Sequence, residues 1–239
     1  MASNAVVQSA EVEPDRSLAG VSVRTVLALG SAGELGLVRR LVDVSAGAVF
    51  GGVAGAGGEL WFVIEGTGRL DCGDQVGLEF GPDFGLLVPP GLEYRLVSDP
   101  GAGVRLDVVA LPGSAAMSES RSPLVRELAD CAVETTGDRR FRVLFGPGAD
   151  CSVATQFVGE IPPGRAPAHS HPYDETVLVL EGGGVLHLGG ERFPLTAGTC
   201  THLPPGGPHC LENTGSSMLR VLGVFHPADS PASKLPPAS

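Results

Sequence analysis

Four residues whose types suit divalent-metal chemistry stand in the last third of the chain: His169, His171, Glu175 and His209. His169 and His171 are two positions apart, and side chains alternate along a strand, so both imidazoles project from one side of a sheet. The run Pro172 to Asp174 lets the chain bend and return Glu175 to that same face. His209 follows Pro204-Pro205-Gly206-Gly207-Pro208, a stiff turn that delivers one more imidazole from a distant strand. Three imidazoles and a carboxylate suit a borderline divalent ion such as Fe(II), Mn(II), Ni(II), Co(II), Cu(II) or Zn(II). All six histidines lie at positions 169, 171, 187, 202, 209 and 226, so imidazole is concentrated where that chemistry would be.

The four residues sit in two blocks, Gly164 to Gly182 and Gly198 to Asn213, which read G-x4-H-x-H-x3-E-x6-G and G-x5-P-x-G-x2-H-x3-N. This pair of motifs resembles that of the cupins, a family of small β-barrels. The second block carries the family pattern at Gly198, Pro204, Gly206, His209 and Asn213. The first is one residue shorter between Gly164 and His169, which leaves the ligand spacing intact. The resemblance implies that His169, His171, Glu175 and His209 bind one metal inside a barrel. It also implies that Glu175 is catalytic, either staying ligated or swinging away to accept a proton.

The chain also repeats itself. VIEGTGRL at 63–70 echoes VLEGGGVL at 179–186, VPPGLEYRL at 88–96 echoes LPPGGPHCL at 203–211, and VRLDVVALP at 104–112 echoes LRVLGVFHP at 219–227. A repeat of this kind is a structural unit used twice. Superposing the two copies places Glu59 on Glu175, Val53 on His169, Gly55 on His171 and Tyr94 on His209. Val and Gly offer no donor atom, so a single metal per chain is expected, in the second copy. With the family resemblance, the repeat predicts an all-β chain of two tandem cupin barrels of the double-stranded β-helix (jelly-roll) type. The expected divisions are an N-terminal arm over 1–21, a metal-free barrel over 22–115, a linker with a short helix over 116–137, the metal-binding barrel over 138–228 and a tail over 229–239.

Composition fits that plan. The chain has 239 residues, 43% of them hydrophobic, with 35 glycines and 20 prolines, as short strands joined by tight turns require. LWFVIEG and TVLVLEG are almost continuously apolar and should be covered on both faces. SPLVRELADCA at 122–132 predicts the linking helix, with Ser122 as N-cap and Pro123 at its first position. A net charge of −11 and the absence of a basic cluster argue against nucleic acid. No apolar run reaches the length of a membrane span, and no signal-peptide pattern opens the chain. Five cysteines leave an odd one in any pairing, so free thiols in a reducing cytoplasm are expected. Cupins often pair through edge strands, so a homodimer is compatible with the resemblance.

Around the ligands, Gln156, Tyr173, Cys200 and His202 are candidates for lining a substrate pocket. Cys200 and His202 share a strand face, which lines the cavity if it points inward. Cys210, His187 and His226 read as structural. A metal held by four protein groups leaves one or two positions open for a small oxygenated, enolisable substrate, with Lewis acidity to stabilise the enolate that develops. Three functions follow. The first is a dioxygenase similar to quercetinase-like cupins, to which the reading leans. The second is a non-redox isomerase, cyclase or decarboxylase, similar to the bicupin isomerase of dipeptide-antibiotic biosynthesis. The third is a non-catalytic small-molecule-binding cupin.

Overall fold

The structure, a computed structural model, describes residues 6–31, 34–113, 122–233 and 235. Among these the strands divide evenly between the two repeats. The first repeat holds β1 (Val6–Gln8), β2 (Arg16–Leu18), β3 (Val21–Ser31), β4 (Glu34–Val44), β5 (Val49–Val53), β6 (Glu59–Glu65), β7 (Gly68–Cys72), β8 (Gln75–Phe80), β9 (Phe84–Val88), β10 (Glu93–Ser98) and β11 (Val104–Ala110). The second holds β12 (Leu124–Glu127), β13 (Glu134–Thr136), β14 (Arg139–Phe145), β15 (Thr155–Ile161), β16 (Gly164–Arg165), β17 (Asp174–Glu181), β18 (Gly183–Leu188), β19 (Glu191–Thr196), β20 (Thr199–Leu203), β21 (His209–Asn213) and β22 (Leu219–His226). None of the described helices is long and apolar enough to cross a membrane.

Each repeat closes a four-stranded sheet over a seven-stranded one. The small sheets run β5-β10-β7-β8 and β16-β21-β18-β19, and the large ones β12-β9-β6-β11-β4-β3-β2 and β1-β20-β17-β22-β15-β14-β13. The two orders correspond strand for strand except at one edge, where the repeats exchange strands. β1 pairs with β20, Val6 opposite Thr201, and β12 pairs with β9, Leu124 opposite Leu87. Each exchanged strand covers an edge that would otherwise present unpaired N–H and C=O groups.

That exchange replaces the helix expected over 122–132. Residues 124–127 are the strand β12, and a single 3-10 turn at Leu128–Asp130 follows. Leu124 packs into the core between the barrels and Val125 into the interior of the first, as alternation in a strand dictates. Ser122 precedes a strand and not a helix, and its hydroxyl donates to Asp74 at 3.3 Å.

The near-continuous apolar runs are explained by the same alternation. On β6, Trp61 and Val63 face the first barrel's interior while Leu60 and Phe62 face the neighbouring barrel. On β17, Val177 and Val179 face the second barrel's interior and Leu178 faces the shared core, which Val26, Leu41, Leu87, Phe145, Val158 and Leu222 help to fill. The large sheets are therefore buried on both sides, and a period-two polar face has nowhere to go. Within this shared core Arg39 is fully buried and forks onto Asp107, with Nε and Nη2 at 2.7 and 3.1 Å from its two carboxylate oxygens. Arg39 also donates across the barrels to Thr176 Oγ1 at 3.1 Å and to the Leu222 carbonyl at 3.0 Å. All five cysteines are unpaired.

Candidate metal centre

The second barrel gathers His169, His171 and His209 so that one ligand atom of each lies within 4.8 Å of the others. Backbone pairing creates this proximity. His169 and His209 exchange main-chain bonds, N to O at 3.0 and 2.8 Å, and so lie directly opposite each other. The turn before His209 is fastened to His171 by the Gly206 N–H, which donates to the His171 carbonyl at 2.7 Å. Gly206 has φ 71°, a left-handed conformation that glycine adopts without strain. β17 adds Glu175 beside this trio and outside its 4.8 Å grouping, with Oε2 at 3.5 Å from His171 Nε2.

The rings are oriented for coordination. His169, His171 and His209 each set Nδ1 against a backbone carbonyl, of Pro167 at 3.3 Å, Ser233 at 2.8 Å and Gly207 at 2.8 Å. A carbonyl can only accept, so these contacts favour the tautomer with the proton on Nδ1 and the Nε2 lone pair left for an ion, the usual support of metal-bound imidazole; the Tyr173 hydroxyl also lies 3.1 Å from His171 Nδ1. Tyr173 stacks on the His171 ring with centroids 4.8 Å apart and on Phe225 at 4.2 Å, fixing that imidazole from behind. The 4.8 Å span exceeds the roughly 3 Å between neighbouring ligands at metal–nitrogen bonds near 2.1 Å, so the imidazoles would have to draw together to share an ion. Three imidazoles with Nδ1 spoken for and one buried carboxyl fit a divalent ion.

Glu175 is buried, and desolvation pushes its carboxyl up to about 7; Arg39 and Arg139 pull against that rise. Burial also lowers His209, which favours the neutral ring a metal needs. The cavity over these groups has a volume of about 260 Å³ and is walled by Phe141, Phe157, Ile161, Val177, Leu203 and Leu211. Arg139 lines it as well: Nη2 donates to the Leu211 carbonyl at 2.8 Å, and the buried Nε has no partner among the described residues.

The expected pocket residues fall elsewhere. Opposite Glu175 on β20 stands Leu203, and Val177 faces Thr201, so Cys200 and His202 point to the other side of the sheet. Cys200 lies in the core between barrels, and His202 Nε2 pairs with Asp174 Oδ1 at 2.7 Å. Gln156 has the wrong parity on β15; it donates from Nε2 to the Trp61 carbonyl at 3.3 Å, while Phe157 takes the cavity side. Tyr173 is a support behind His171 and not a cavity wall. His187 is bonded to Glu212 at 2.6 Å and His226 to the Val153 carbonyl at 2.8 Å. Arg139, Phe141 and Phe157 have no motif to mark them, and only the alternation of β14 and β15 counted from a known inward residue could have found them.

The corresponding place in the first barrel is organised differently. Tyr94 stands opposite Gly52, and the Gly91 N–H donates to the Ala54 carbonyl. Gly52 and Ala54 are therefore the counterparts of His169 and His171, one residue earlier than the expected Val53 and Gly55. Neither offers a donor. A Cβ on Gly52 would come within 2.8 Å of the Tyr94 hydroxyl, so the phenol stands over the position from which a histidine would reach.

Comparison with known proteins agrees with this architecture. Residues 157–225 match the cupin domain family. The oxalate decarboxylase of Bacillus subtilis superposes over 96% of this chain and 78% of its own with a TM-score of 0.75 at 15% identity. A protein from Pseudomonas aeruginosa described as glyoxylate-induced superposes over 92% of this chain and 86% of its own, TM-score 0.76, at 17% identity. The oxalate-binding protein of Thermotoga maritima is 35% identical over 68 residues, 28% of this chain and 56% of that protein. The curated relatives matched in sequence are covered over 25% to 60% of their own lengths.

Proposed function

We propose that this two-barrel chain, whose second barrel matches the cupin domain family, is a metal-dependent enzyme that transfers a proton to, or removes CO2 from, a small oxo- or dicarboxylic acid. The observation that carries this reading is the meeting, in one small cavity, of Arg139, Glu175 and three convergent imidazoles. A cavity of about 260 Å³ lies below the range that holds drug-sized ligands, so it suits a metabolite of few atoms and not a flavonoid-sized one. His169, His171, His209 and Glu175 would hold the metal, which when bound supplies Lewis acidity toward adjacent substrate oxygens.

The protein's own groups do the rest. The Arg139 guanidinium retains donor capacity for a substrate carboxylate and fixes its orientation. The walls from Phe141, Phe157, Val177 and Leu203 exclude water, which strengthens both charge interactions. Glu175, once released from the metal, would give a proton to the carbon that keeps the bonding pair when CO2 leaves, or move a proton between neighbouring carbons. The names of the oxalate decarboxylase and the oxalate-binding protein support a small acid as substrate class.

The test is turnover of oxaloacetate, acetylpyruvate and oxalate by Mn(II)-, Fe(II)- and Zn(II)-loaded protein, with and without O2, reading CO2 release and substrate loss. Undiminished turnover under argon is expected, and Arg139→Gln should raise KM more than it lowers kcat. Strict oxygen dependence with a redox-active ion would replace this reading with the dioxygenase. No turnover by any loaded form would favour a binding protein.

A further inference from the structure

The first barrel keeps a cavity of about 680 Å³ at the end where its sister holds the metal candidates, lined by Arg40, Glu59, Tyr94, Phe50, Thr25 and Leu111 among others. Its polar groups are unequally engaged. Glu59, 5% exposed, accepts from Trp61 Nε1 at 2.8 Å, and Asp15 accepts from the Thr25 N–H at 2.6 Å. Arg40 projects from β4 on the same side as Val38 and Val42, which line the cavity with it, and opposite to the buried Arg39. Among the described residues neither the Arg40 guanidinium nor the Tyr94 hydroxyl makes a hydrogen bond, and Arg40 forms no ion pair. The two acids of the cavity accept hydrogen bonds, whereas Arg40, which acts on both of them by charge alone, keeps its donors for a ligand.

We propose that this cavity is a second, metal-independent binding site for an organic monocarboxylate, with the carboxylate held by Arg40 and the Tyr94 hydroxyl and the apolar body against Phe50 and Leu111. A guanidinium presents paired donors that match a carboxylate. The aromatic faces are in place, since Phe50 and Tyr94 meet with centroids 5.4 Å apart beside the edge-on Trp61 at 4.7 Å from Tyr94. Burial pushes the Glu59 carboxyl upward, and the Trp61 hydrogen bond and the Arg40 charge pull it back. A metal is not required, because Gly52 and Ala54 replace the two histidines and the phenol stands over Gly52.

Trp61 is the chain's single tryptophan, so its fluorescence reports on this barrel and not on the metal centre. The experiment titrates benzoate, benzamide and benzylamine into the full chain and follows that fluorescence, with calorimetry for stoichiometry. Benzoate should give a saturable change at one site per chain. Benzamide and benzylamine should bind at least about tenfold more weakly, the loss of a charge-assisted pair. Arg40→Gln should weaken benzoate to a similar degree and Tyr94→Phe by a smaller factor, while His209→Ala leaves the titration unchanged. If Arg40→Gln does not fold, Tyr94→Phe and the benzoate-to-benzamide ratio of the native chain decide. Absence of a saturable change at millimolar benzoate, equal binding of benzamide, tighter binding of benzylamine, or loss of the response in His209→Ala would overturn the proposal.

Discussion

At His171 the ring is held from three sides: Nδ1–H donates to the Ser233 carbonyl, the Tyr173 ring lies parallel to it at 10°, and Glu175 stands at Nε2. A ligand this constrained loses little freedom when it takes up an ion. His169→Ala, His171→Ala and His209→Ala should each reduce bound metal from about one ion per chain to background with far-UV circular dichroism unchanged, because the barrel core is separate from the site. Glu175→Gln should retain part of the metal, read by elemental analysis after gel filtration. For Glu175 the sign with pH is definite. A carboxyl raised from 4.5 to about 7 by burial stabilises the metal-free fold while protonated, so its contribution is complete below 4.5 and disappears as pH rises through about 7. Metal-free protein should therefore lose thermal stability between about pH 5 and about pH 8 more steeply than Glu175→Gln does; parallel melting curves would mean that Glu175 is ionised throughout. The four candidate ligands were legible because metal ligation would demand particular side chains at particular spacings. Arg139 was not, since one arginine among sixteen Lys and Arg residues carries no spacing that marks it.

Among the elements, the strands β6 and β17 were readable from unbroken apolar runs, whereas β12 was mistaken for a helix. Leu124, Val125, Leu128 and Ala129 fit a helical face as well as they fit a strand followed by a 3-10 turn. What decides is the open edge of β9, a tertiary partner invisible in a local window. The glycine-rich stretch Gly51 to Gly58 hid the register of the first barrel in the same way, because few side chains there signal which residues face inward. The expected tail, 229–239, has described residues that touch the site. The Ser233 carbonyl accepts from His171, the Ser230 carbonyl accepts from the Tyr173 hydroxyl at 3.4 Å, the Leu235 N–H donates to the Ser170 carbonyl at 2.9 Å, and Pro231 lines the cavity. Ending the chain after Ala228 should weaken metal binding by about 10- to 100-fold, as loss of hydrogen-bond support for a ligating imidazole does. Calorimetric titration with Zn(II) measures this, and an affinity equal to that of the full chain would show the strap to be idle.

Across the whole molecule, the two barrels are joined by exchanged strands, by an apolar core and by one buried charged group from the first barrel that reaches into the second. Arg39 is surrounded by partners: both oxygens of Asp107, Thr176 Oγ1 beside Glu175, and the Leu222 carbonyl. Taking both charges out of water costs several kcal/mol per ion, and their attraction roughly offsets this only while both are present. The pair therefore specifies how the barrels dock more than it adds net stability. Asp107→Ala, which strands the guanidinium in the core, should lower the unfolding free energy by about 3–5 kcal/mol. The double variant Arg39→Met with Asp107→Leu, which removes both charges at similar volume, should recover most of that loss. Recovery of stability need not restore the centre, because Thr176 loses the Arg39 donor, keeping only its bond to the Val224 carbonyl, and Glu175 loses one of the two cations that hold its carboxyl down. Urea denaturation and metal affinity measured on the same three proteins separate the two contributions. A double variant that matches the native chain in both would show that the first barrel supports the metal centre through apolar contact alone.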